Sequence, residues 1–248
     1  MIKLACVTPG DPEIFLSLHG EGLSSGRPSV FVRLSQCNLH CVWCDTPYTW
    51  NFEGTDFAHR DGVSKFVRSD EVVSLERENL VGRIRSFQCE RVIFTGGEPL
   101  LQQRELGELC GALKRADGAY FIEVETNGTI VPQGLVLECV DQFNVSPKLA
   151  HSKNELQLRR RDEALTAFAK DARASFKFVV TAVDDLEEVE DLIDAFSIER
   201  TRVYIMPEGV DTTTLVERAR WISEECIKRG VNYSDRLQIH LYGNTRGT

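Results

Sequence analysis

Three cysteines within eight residues, Cys37, Cys41 and Cys44, constrain this chain more than any other feature of its sequence. Thiolates this close along a chain can reach one metal centre, and soft sulfur ligands suit iron–sulfur clusters or zinc. Four thiolates close a tetrahedral or cubane site, whereas three leave one metal corner open to a ligand that is not protein. The three cysteines therefore predict a metal centre at which chemistry can take place.

Two other interpretations of the cysteines are possible. A structural zinc site would need His40 as its fourth ligand, but His40 adjoins Cys41, whereas such sites pair ligands two to four residues apart. A disulfide framework is weaker, because three is an odd number and the sequence gives no secretory context. The remaining cysteines are scattered, as expected for free thiols in a reducing cytosol: Cys6, Cys89, Cys110, Cys139 and Cys226.

Length and composition indicate a globular enzyme. A chain of 248 residues can form one α/β barrel domain, and 42% hydrophobic with 27% charged residues is ordinary for that class. The net charge of -9 argues against a broad nucleic-acid surface, which needs a basic face. The first residues lack the apolar core of a signal peptide, and no apolar run reaches membrane-spanning length. We expect small-molecule chemistry in the cytoplasm, with neither nucleic acid nor membrane as partner.

Short β-rich runs alternate with longer amphipathic stretches, a pattern typical of a parallel sheet wrapped by helices. The predicted strands are 14–18, 30–34, 91–94, 120–124, 142–145, 176–181, 202–205 and 237–241. The predicted helices are about 70–86, 101–116, 153–170, 184–196 and 212–229, with a loop or small insertion at about 51–66. No repeat or linker divides the chain, so residues 1–248 are expected to form a single domain.

Polar motifs follow the predicted strands at their carboxyl ends. They are the runs 95–99 (Thr-Gly-Gly-Glu-Pro), 125–129 (Glu-Thr-Asn-Gly-Thr), 146–148 (Ser-Pro-Lys) and 206–209 (Met-Pro-Glu-Gly). The three cysteines also follow a strand, the one at 30–34. In parallel α/β architectures this edge of the sheet is where active sites form. The motifs therefore predict one site that includes the cysteines.

The cysteine spacing and the run 95–99 resemble the radical S-adenosylmethionine superfamily. The resemblance implies a 4Fe-4S cluster held by Cys37, Cys41 and Cys44, with S-adenosylmethionine on the fourth iron. It also implies a partial or distorted (β/α) barrel with the cluster at its open rim. Glu98 would then accept a hydrogen bond from the ammonium group of the methionyl moiety.

A narrower resemblance covers nearly the whole chain. The run 17–22 (Ser-Leu-His-Gly-Glu-Gly), Arg33, the run 44–46 (Cys-Asp-Thr) and the run 146–148 resemble the 7-carboxy-7-deazaguanine synthases of queuosine and deazapurine biosynthesis. The resemblance implies a lyase that converts 6-carboxy-5,6,7,8-tetrahydropterin to 7-carboxy-7-deazaguanine with loss of ammonia. It further implies Mg²⁺, an external reductant such as flavodoxin, and a homodimer.

The same resemblance assigns residues to the ligands. Substrate would be bound by Leu18, His19, Gly20, Arg33 (through a bidentate guanidinium) and Thr95, and Mg²⁺ by the Thr46 hydroxyl. The cofactor would be bound by Trp43, Cys44, Asp45, Gly97, Glu98, Ser146, Pro147, Lys148, Met206, Pro207, Glu208 and Gly209. His19 departs from the family pattern, in which glutamine is common. Two further histidines, His59 and His151, fall in loop-like segments and are expected to face solvent.

Two rival functions fit part of the sequence. A glycyl-radical activating enzyme shares the cysteine spacing and acts on a protein partner, but it does not need the run 17–22 or a magnesium ligand at Thr46. A non-enzymatic iron–sulfur or zinc sensor would need only the cysteines. Visible absorbance of anaerobically purified protein separates a zinc protein from the others, because zinc gives no visible band.

The open-corner interpretation predicts which cysteines matter. Cys37→Ala, Cys41→Ala and Cys44→Ala are each expected to abolish activity, because each removes one of only three grouped thiolates. Cys89→Ala and Cys139→Ala serve as controls and should keep wild-type iron content after anaerobic reconstitution. A control that loses iron would reveal a fourth protein ligand and refute the open corner.

Overall fold

The computed structural model of the chain describes residues 1–60, 62, 64–117 and 120–248. The strands are β1 (Ile2–Thr8), β2 (Asp11–Pro12), β3 (Ile14–Leu18), β4 (Pro28–Leu34), β5 (Val72–Leu75), β6 (Arg91–Gly96), β7 (Phe121–Thr126), β8 (Gln142–Val145), β9 (Ala174–Val180), β10 (Val203–Pro207) and β11 (Asn232–Tyr233). The helices are α1 (Arg68–Glu71), α2 (Arg77–Ser86), α3 (Gln103–Asp117), α4 (Gly134–Cys139), α5 (Leu156–Arg159), α6 (Asp162–Lys170), α7 (Asp185–Phe196), α8 (Thr212–Arg229) and α9 (Leu237–Tyr242).

The central sheet adds its strands in chain order. Strands β4, β6, β7, β8, β9, β10 and β11 lie side by side and every neighbouring pair is parallel. Because such crossovers are right-handed and the order never reverses, the connecting helices lie on one face and the sheet curls away from them. Beyond β4 the sheet ends in antiparallel pairings of β1 with β2 and β5 and of β3 with β4. The predicted α/β partial barrel is confirmed.

The two faces of the sheet differ in polarity. Residues that face the helices are apolar, and Ile122, Phe143 and Phe176 are fully buried in the main hydrophobic core. On the opposite face polar residues stand in register across the strands, with Glu123 beside Gln142. Side chains alternate between the two faces along a strand. In β7, Ile122 and Val124 therefore face the core, whereas Glu123 and Glu125 face the polar interior. The concave face of the partial barrel is therefore a polar interior.

Two predicted helices differ from the structure. The stretch 70–86 contains α1, β5 and α2, because 72–75 (Val-Val-Ser-Leu) pairs with β1, which the sequence analysis missed. β-branched residues suit that pairing, and tertiary contact decides between two weak local preferences. The stretch 153–170 is divided into α5 and α6 by extended backbone at Arg160 and Arg161.

The predicted strand 237–241 is also wrong. This stretch forms α9, in which Ile239 is buried and Leu241 is 50% exposed. Six residues of alternating polarity fit both a strand and a helical turn, so the pattern alone could not decide. The segment 51–66 is largely irregular, with one bridge between Phe52 and Phe66, and its residues 61 and 63 lie outside the described part. Among the described residues, no helix is long and apolar enough to cross a bilayer.

The core predicts a large stability effect at β9. Phe176→Ala is expected to lower the free energy of unfolding by about 3–5 kcal/mol, because Phe176 is fully buried and the change leaves a cavity. Leu156→Ala is the matched control, since Leu156 is 55% exposed, and should change it by less than about 0.5 kcal/mol. Urea unfolding measures both. Equal effects of the two substitutions would contradict this description of the core.

Candidate active site

The predicted site motifs meet in a cavity of about 230 Å³ at the carboxyl ends of the parallel strands. The predicted residues that line it are Leu18, His19, Gly20, Arg33, Cys37, Cys41, Trp43, Cys44, Asp45, Thr46, Thr95, Gly97, Ser146, Lys148, Met206 and Glu208. The others, Glu98, Pro147, Pro207 and Gly209, lie behind these residues rather than at the cavity surface. Convergence follows from topology, because parallel strands bring their carboxyl ends to one edge.

The cysteine loop leaves β4 in direct backbone contact with the motif after β6. The Gln36 carbonyl accepts a hydrogen bond from the Glu98 N–H at 2.8 Å, and the Leu34 carbonyl accepts one from the Gly97 N–H at 3.0 Å. A side chain at position 97 would place its Cβ 1.9 Å from the Gln36 oxygen. Position 97 must therefore be glycine for the two loops to approach.

The structure bears on the zinc alternative through His40. Across the described ranges, no three His, Cys, Asp or Glu side chains are close enough together to hold one metal ion. The His40 ring stacks on Phe57, with 3.4 Å between ring centroids, so it does not turn toward the thiols. His40 is therefore not placed as the fourth ligand that a zinc site would need.

The three thiols need a positively charged partner to exist as thiolates. Burial raises the pKa of Cys41 to about 11, and burial likewise raises the pKa of Cys37 and of Cys44. Without a metal these cysteines are protonated at neutral pH. Bound iron would supply the positive charge that keeps them as thiolates.

Glu98 is buried where the end of β6 meets the end of β7. Its carboxylate is fully buried and accepts hydrogen bonds from Leu100 N at 2.9 Å, Thr126 Oγ1 at 2.9 Å and Asn127 N at 2.7 Å. Burial raises the pKa of Glu98, although these donors oppose the rise. Because its oxygens are bound within the protein, the carboxylate joins the end of β6 to the end of β7 and does not reach the cavity.

The run 206–209 reaches the cavity only in part. Met206 and Glu208 line it, whereas the Gly209 carbonyl accepts a hydrogen bond from Arg236 at 2.6 Å. The Glu208 carboxylate pairs with Arg60 at 3.0 Å and with Arg218 at 2.6 Å. The two arginines therefore balance the charge of Glu208, and these bonds hold the run 206–209 beside the cavity.

The same cavity is lined by a group of titratable side chains that we call the polar wall: His19, Glu21, Glu125, Lys177 and Arg236. The Glu21 N–H donates to His19 Nδ1 at 3.1 Å, so a neutral His19 carries its proton on Nε2. That Nε2 faces Glu125 Oε1 at 3.5 Å, and the Thr95 hydroxyl donates to Glu125 Oε2 at 2.6 Å. The wall therefore presents an oriented carboxylate to the cavity.

Lys177 controls the charge of the polar wall. Its buried Nζ contacts the Glu21 carboxylate and lies 3.8 Å from Glu125 Oε1. Burial alone would raise the pKa of Glu21, but Lys177 and Arg236 outweigh it and lower the pKa to about 2. Burial would also raise the pKa of Glu125, but the nearby charge of Lys177 has the larger opposite effect together with the other donors, and the pKa is lowered. Both carboxylates are ionised at neutral pH.

The motifs 17–22 and 125–129 of the sequence analysis include His19, Glu21 and Glu125, but Lys177 and Arg236 were missed. Lys177 lies in the strand Ala174–Val180, whose other residues are apolar apart from Ser175. A single lysine within an apolar strand could have indicated a buried ion pair, because buried charges are rare unless they are paired. Its partners Glu21 and Glu125 are 156 and 52 positions away, and only the fold brings them together.

Arg33 points into the cavity from β4 with a fixed orientation. Its Nε donates to Glu13 Oε1 at 2.7 Å, and Glu13 is fully buried. The Tyr48 hydroxyl donates to Glu13 Oε2 at 3.0 Å, which holds the carboxylate in place. Because Nε is used, the terminal nitrogens of the guanidinium are the part that faces the cavity. Glu13 was not anticipated from the sequence.

Thr46, His59 and His151 lie against the loop that carries the three cysteines. Thr46 precedes the short helix Pro47–Thr49 without capping it, and its hydroxyl lies 3.6 Å from Cys44 Sγ. His59 Nε2 lies 2.8 Å from the Cys44 carbonyl oxygen, and His151 stacks on Trp43 with 5.3 Å between ring centroids. The expectation that His59 and His151 face solvent was therefore wrong, since both pack against the cysteine loop.

The fold and the three-cysteine site define a radical S-adenosylmethionine protein, and residues 32–163 match the model of the Radical SAM superfamily. The chain is 39% identical to the 7-carboxy-7-deazaguanine synthase of Pyrobaculum aerophilum, with 95% of each chain covered. It is 33% identical to that of Rhodopirellula baltica, with 97% of this chain and 93% of the relative covered. The chain therefore belongs to the 7-carboxy-7-deazaguanine synthase family.

Solved structures agree with this assignment. The crystal structure of QueE from Escherichia coli matches with a TM-score of 0.65 and 25% identity, over 95% of this chain and 94% of that one. Streptococcus suis SuiB bound to S-adenosylmethionine matches with a TM-score of 0.50 and 16% identity, over 80% of this chain and 48% of that one. The second match shows the shared fold alone.

The pairing of Lys177 predicts a pH-dependent stability. The Glu21 pKa falls from 4.5 to about 2 on folding, which corresponds to about 3 kcal/mol of stability that is present above pH 4.5 and lost as the pH falls toward 2. Lys177→Met removes the cation, so this variant should be less stable at pH 7 by about 3–5 kcal/mol and lose less on acidification.

The control for this comparison is Lys170→Met, which alters an exposed lysine at the end of α6. Urea unfolding at several pH values between 7 and 3 gives the three stability curves. If the Lys177→Met curve runs parallel to those of the wild type and the control, Lys177 does not set the charge of the polar wall.

Proposed function

We propose that this protein is a carbon–nitrogen lyase that converts 6-carboxy-5,6,7,8-tetrahydropterin to 7-carboxy-7-deazaguanine with loss of ammonia. The observation that carries the proposal is that the polar wall lines the same cavity of about 230 Å³ as the three cysteines. A small polar heterocycle bound at this wall lies next to a cofactor held at the cysteines. An enzyme that acts on a protein chain needs no such wall.

The cofactor side of the cavity has a defined set of residues. When bound, the 4Fe-4S cluster and S-adenosylmethionine supply the one-electron radical chemistry. Cys37, Cys41 and Cys44 hold the cluster in this proposal. S-Adenosylmethionine would be held by the cofactor residues that line the cavity, which are Trp43, Asp45, Gly97, Ser146, Lys148, Met206 and Glu208. The other cofactor residues, Glu98, Pro147, Pro207 and Gly209, would support these from behind. The Lys148 ammonium donates to Ser146 Oγ at 2.9 Å, so this pair presents an oriented cationic group to an anionic ligand.

The substrate side is complementary to a pterin. Arg33 turns its terminal guanidinium nitrogens to the cavity, where they fit a carboxylate in bidentate fashion. The ionised Glu125 is an acceptor for adjacent N–H groups at the pyrimidine edge of a pterin. His19 faces Glu125 through Nε2 and so helps to orient that carboxylate, and His19, Leu18, Gly20 and Thr95 complete the lining on the substrate side. Opposed anionic and cationic groups would thus fix the ring in one orientation, which is the main contribution of the protein.

Magnesium and partner proteins complete the proposal. The Thr46 hydroxyl makes no helix cap and lines the cavity together with Arg33, and its oxygen would bind Mg²⁺ together with substrate oxygens and water. The reaction further needs an external one-electron reductant such as flavodoxin. A homodimer is the proposed assembly.

The experiment that tests the function is a direct assay. Anaerobically reconstituted protein is incubated with 6-carboxy-5,6,7,8-tetrahydropterin, S-adenosylmethionine and a reductant, and 7-carboxy-7-deazaguanine is measured by mass spectrometry. We expect product from the wild type and none from Cys44→Ala. A wild type with a complete cluster that cleaves S-adenosylmethionine but leaves the pterin unchanged would refute the substrate.

Arg33 is expected to tolerate no conservative change. Arg33→Lys keeps the charge but loses the planar guanidinium, and Arg33→Ala loses both. Both variants should raise the substrate KM. For Arg33→Ala the rise should correspond to a loss of roughly 2–5 kcal/mol of binding free energy. Arg27→Lys alters an exposed arginine and serves as the control. An unchanged KM in Arg33→Ala would remove the carboxylate assignment.

Thr46 is expected to link turnover to magnesium. Chelation of divalent ions should lower turnover in the wild type, and added Mg²⁺ should restore it, because the ion fixes the substrate for hydrogen transfer. Thr46→Ala should keep its cluster but respond little to Mg²⁺, whereas Thr46→Ser retains the hydroxyl and should respond. A wild-type magnesium response in Thr46→Ala would show that this hydroxyl is not a ligand.

A further inference from the structure

Two of the three cysteine sulfurs receive a hydrogen bond from a neutral N–H group outside their own loop. Trp50 Nε1 donates to Cys44 Sγ at 3.3 Å, and Asn154 Nδ2 donates to Cys41 Sγ at 3.3 Å. For the third sulfur, the Asn127 side-chain amide lies farther away, with Nδ2 4.0 Å from Cys37 Sγ. The sulfurs are therefore unequal in their hydrogen bonding.

The indole of Trp50 is held in place for this bond. Trp50 is 4% exposed, and its ring lies 5.0 Å from the His40 ring and 6.1 Å from the Phe57 ring between centroids. An indole N–H can only donate, and the one on Trp50 is directed at Cys44 Sγ. By contrast, the buried Trp43 Nε1 lies in the same cavity without a hydrogen-bond partner. Proximity to the cysteines alone therefore does not give an indole a sulfur partner.

The amide of Asn154 is likewise oriented by a second bond. Its Oδ1 accepts from the His40 N–H at 2.8 Å, so Nδ2 is the atom that faces Cys41. The same Nδ2 lies 3.1 Å from Ser152 Oγ, which holds the group from the other side. Asn154 thus ties the backbone before Cys41 to the sulfur of Cys41.

We propose that Trp50 and Asn154 set the reduction potential of the cluster by donating hydrogen bonds to the thiolates of Cys44 and Cys41. Reduction places negative charge on the cluster and its sulfurs, so a donor stabilises the reduced state more than the oxidised state and raises the potential. The inference rests on the 4Fe-4S cluster of the proposed function. Both residues act through the cysteines and touch neither substrate nor S-adenosylmethionine in this role, so they are positioning residues.

The expected effect has a sign that distinguishes it from general damage. Loss of either N–H should make the potential more negative. Loosened packing alone would admit water, which stabilises the more highly charged reduced state and moves the potential in the opposite direction. At a fixed potential, the ratio of reduced to oxidised cluster should fall roughly five- to tenfold for each donor removed, in keeping with the net contribution of one ordinary hydrogen bond.

The test is a redox titration followed by electron paramagnetic resonance, without S-adenosylmethionine or pterin. Trp50→Phe and Asn154→Ala are compared with Trp221→Phe and Asn232→Ala, controls that alter a tryptophan and an asparagine in α8 and β11. Iron content establishes that each protein carries a full cluster. A further variant with 3-benzothienylalanine at position 50 keeps the ring shape and removes only the N–H.

We expect more negative potentials for Trp50→Phe, Asn154→Ala and the benzothienyl variant, and unchanged values for both controls. If the benzothienyl variant and Asn154→Ala both carry a full cluster with an unchanged reduction potential, the inference is overturned. The proposed function would remain intact. A wild type that assembles no cluster would overturn the proposed function, and this inference with it.

Discussion

The approach of two backbones, at the Gln36 carbonyl and Gly97, is the constraint on which the rest of the site depends. The contact leaves no room for a Cβ at position 97 and joins the cysteine loop to the end of β6 by a hydrogen bond from Glu98 N. The carboxylate of Glu98 then binds Thr126 and Asn127 at the end of β7. Three adjacent strand ends are therefore fixed relative to one another before any ligand binds. A rigid frame of this kind allows the loops to present functional side chains accurately.

The concave side of the sheet solves a second problem, which is how to keep ionised groups inside a protein. Buried carboxylates are costly unless they are paired and hydrogen-bonded. Glu123 is fully buried, but Arg91 pairs with it at 3.1 Å, and Ser24, Gln142 and Asn144 donate to it. Beside it, Lys177 neutralises the polar wall. The interior thus maintains charge at the cavity while the opposite face of the same strands supplies the apolar core.

The sequence predicted the location of the site better than the interactions within it. The motifs after β4, β6, β8 and β10 could be placed because strand periodicity is local and parallel strands share one edge. The interior position of Glu98 could not be predicted, since its partners lie on another strand. Lys177 escaped notice for the same reason. Helix α9 and strand β5 were misassigned because short segments of mixed polarity are decided by tertiary contacts.

The polar wall joins distant parts of the chain, and this has a consequence for synthesis. Arg236 Nε donates to Glu21 Oε1 across 215 positions at 3.1 Å, and Leu237 N donates to the Gly20 carbonyl. Strands β6 to β10, by contrast, each pair with a parallel strand made earlier in the chain. During translation, the cysteine loop and its supporting strands can form while the polar wall still lacks Arg236. The ribosome-bound chain would thus acquire its thiol site well before it acquires a complete pocket, and iron loading need not wait for the last residues.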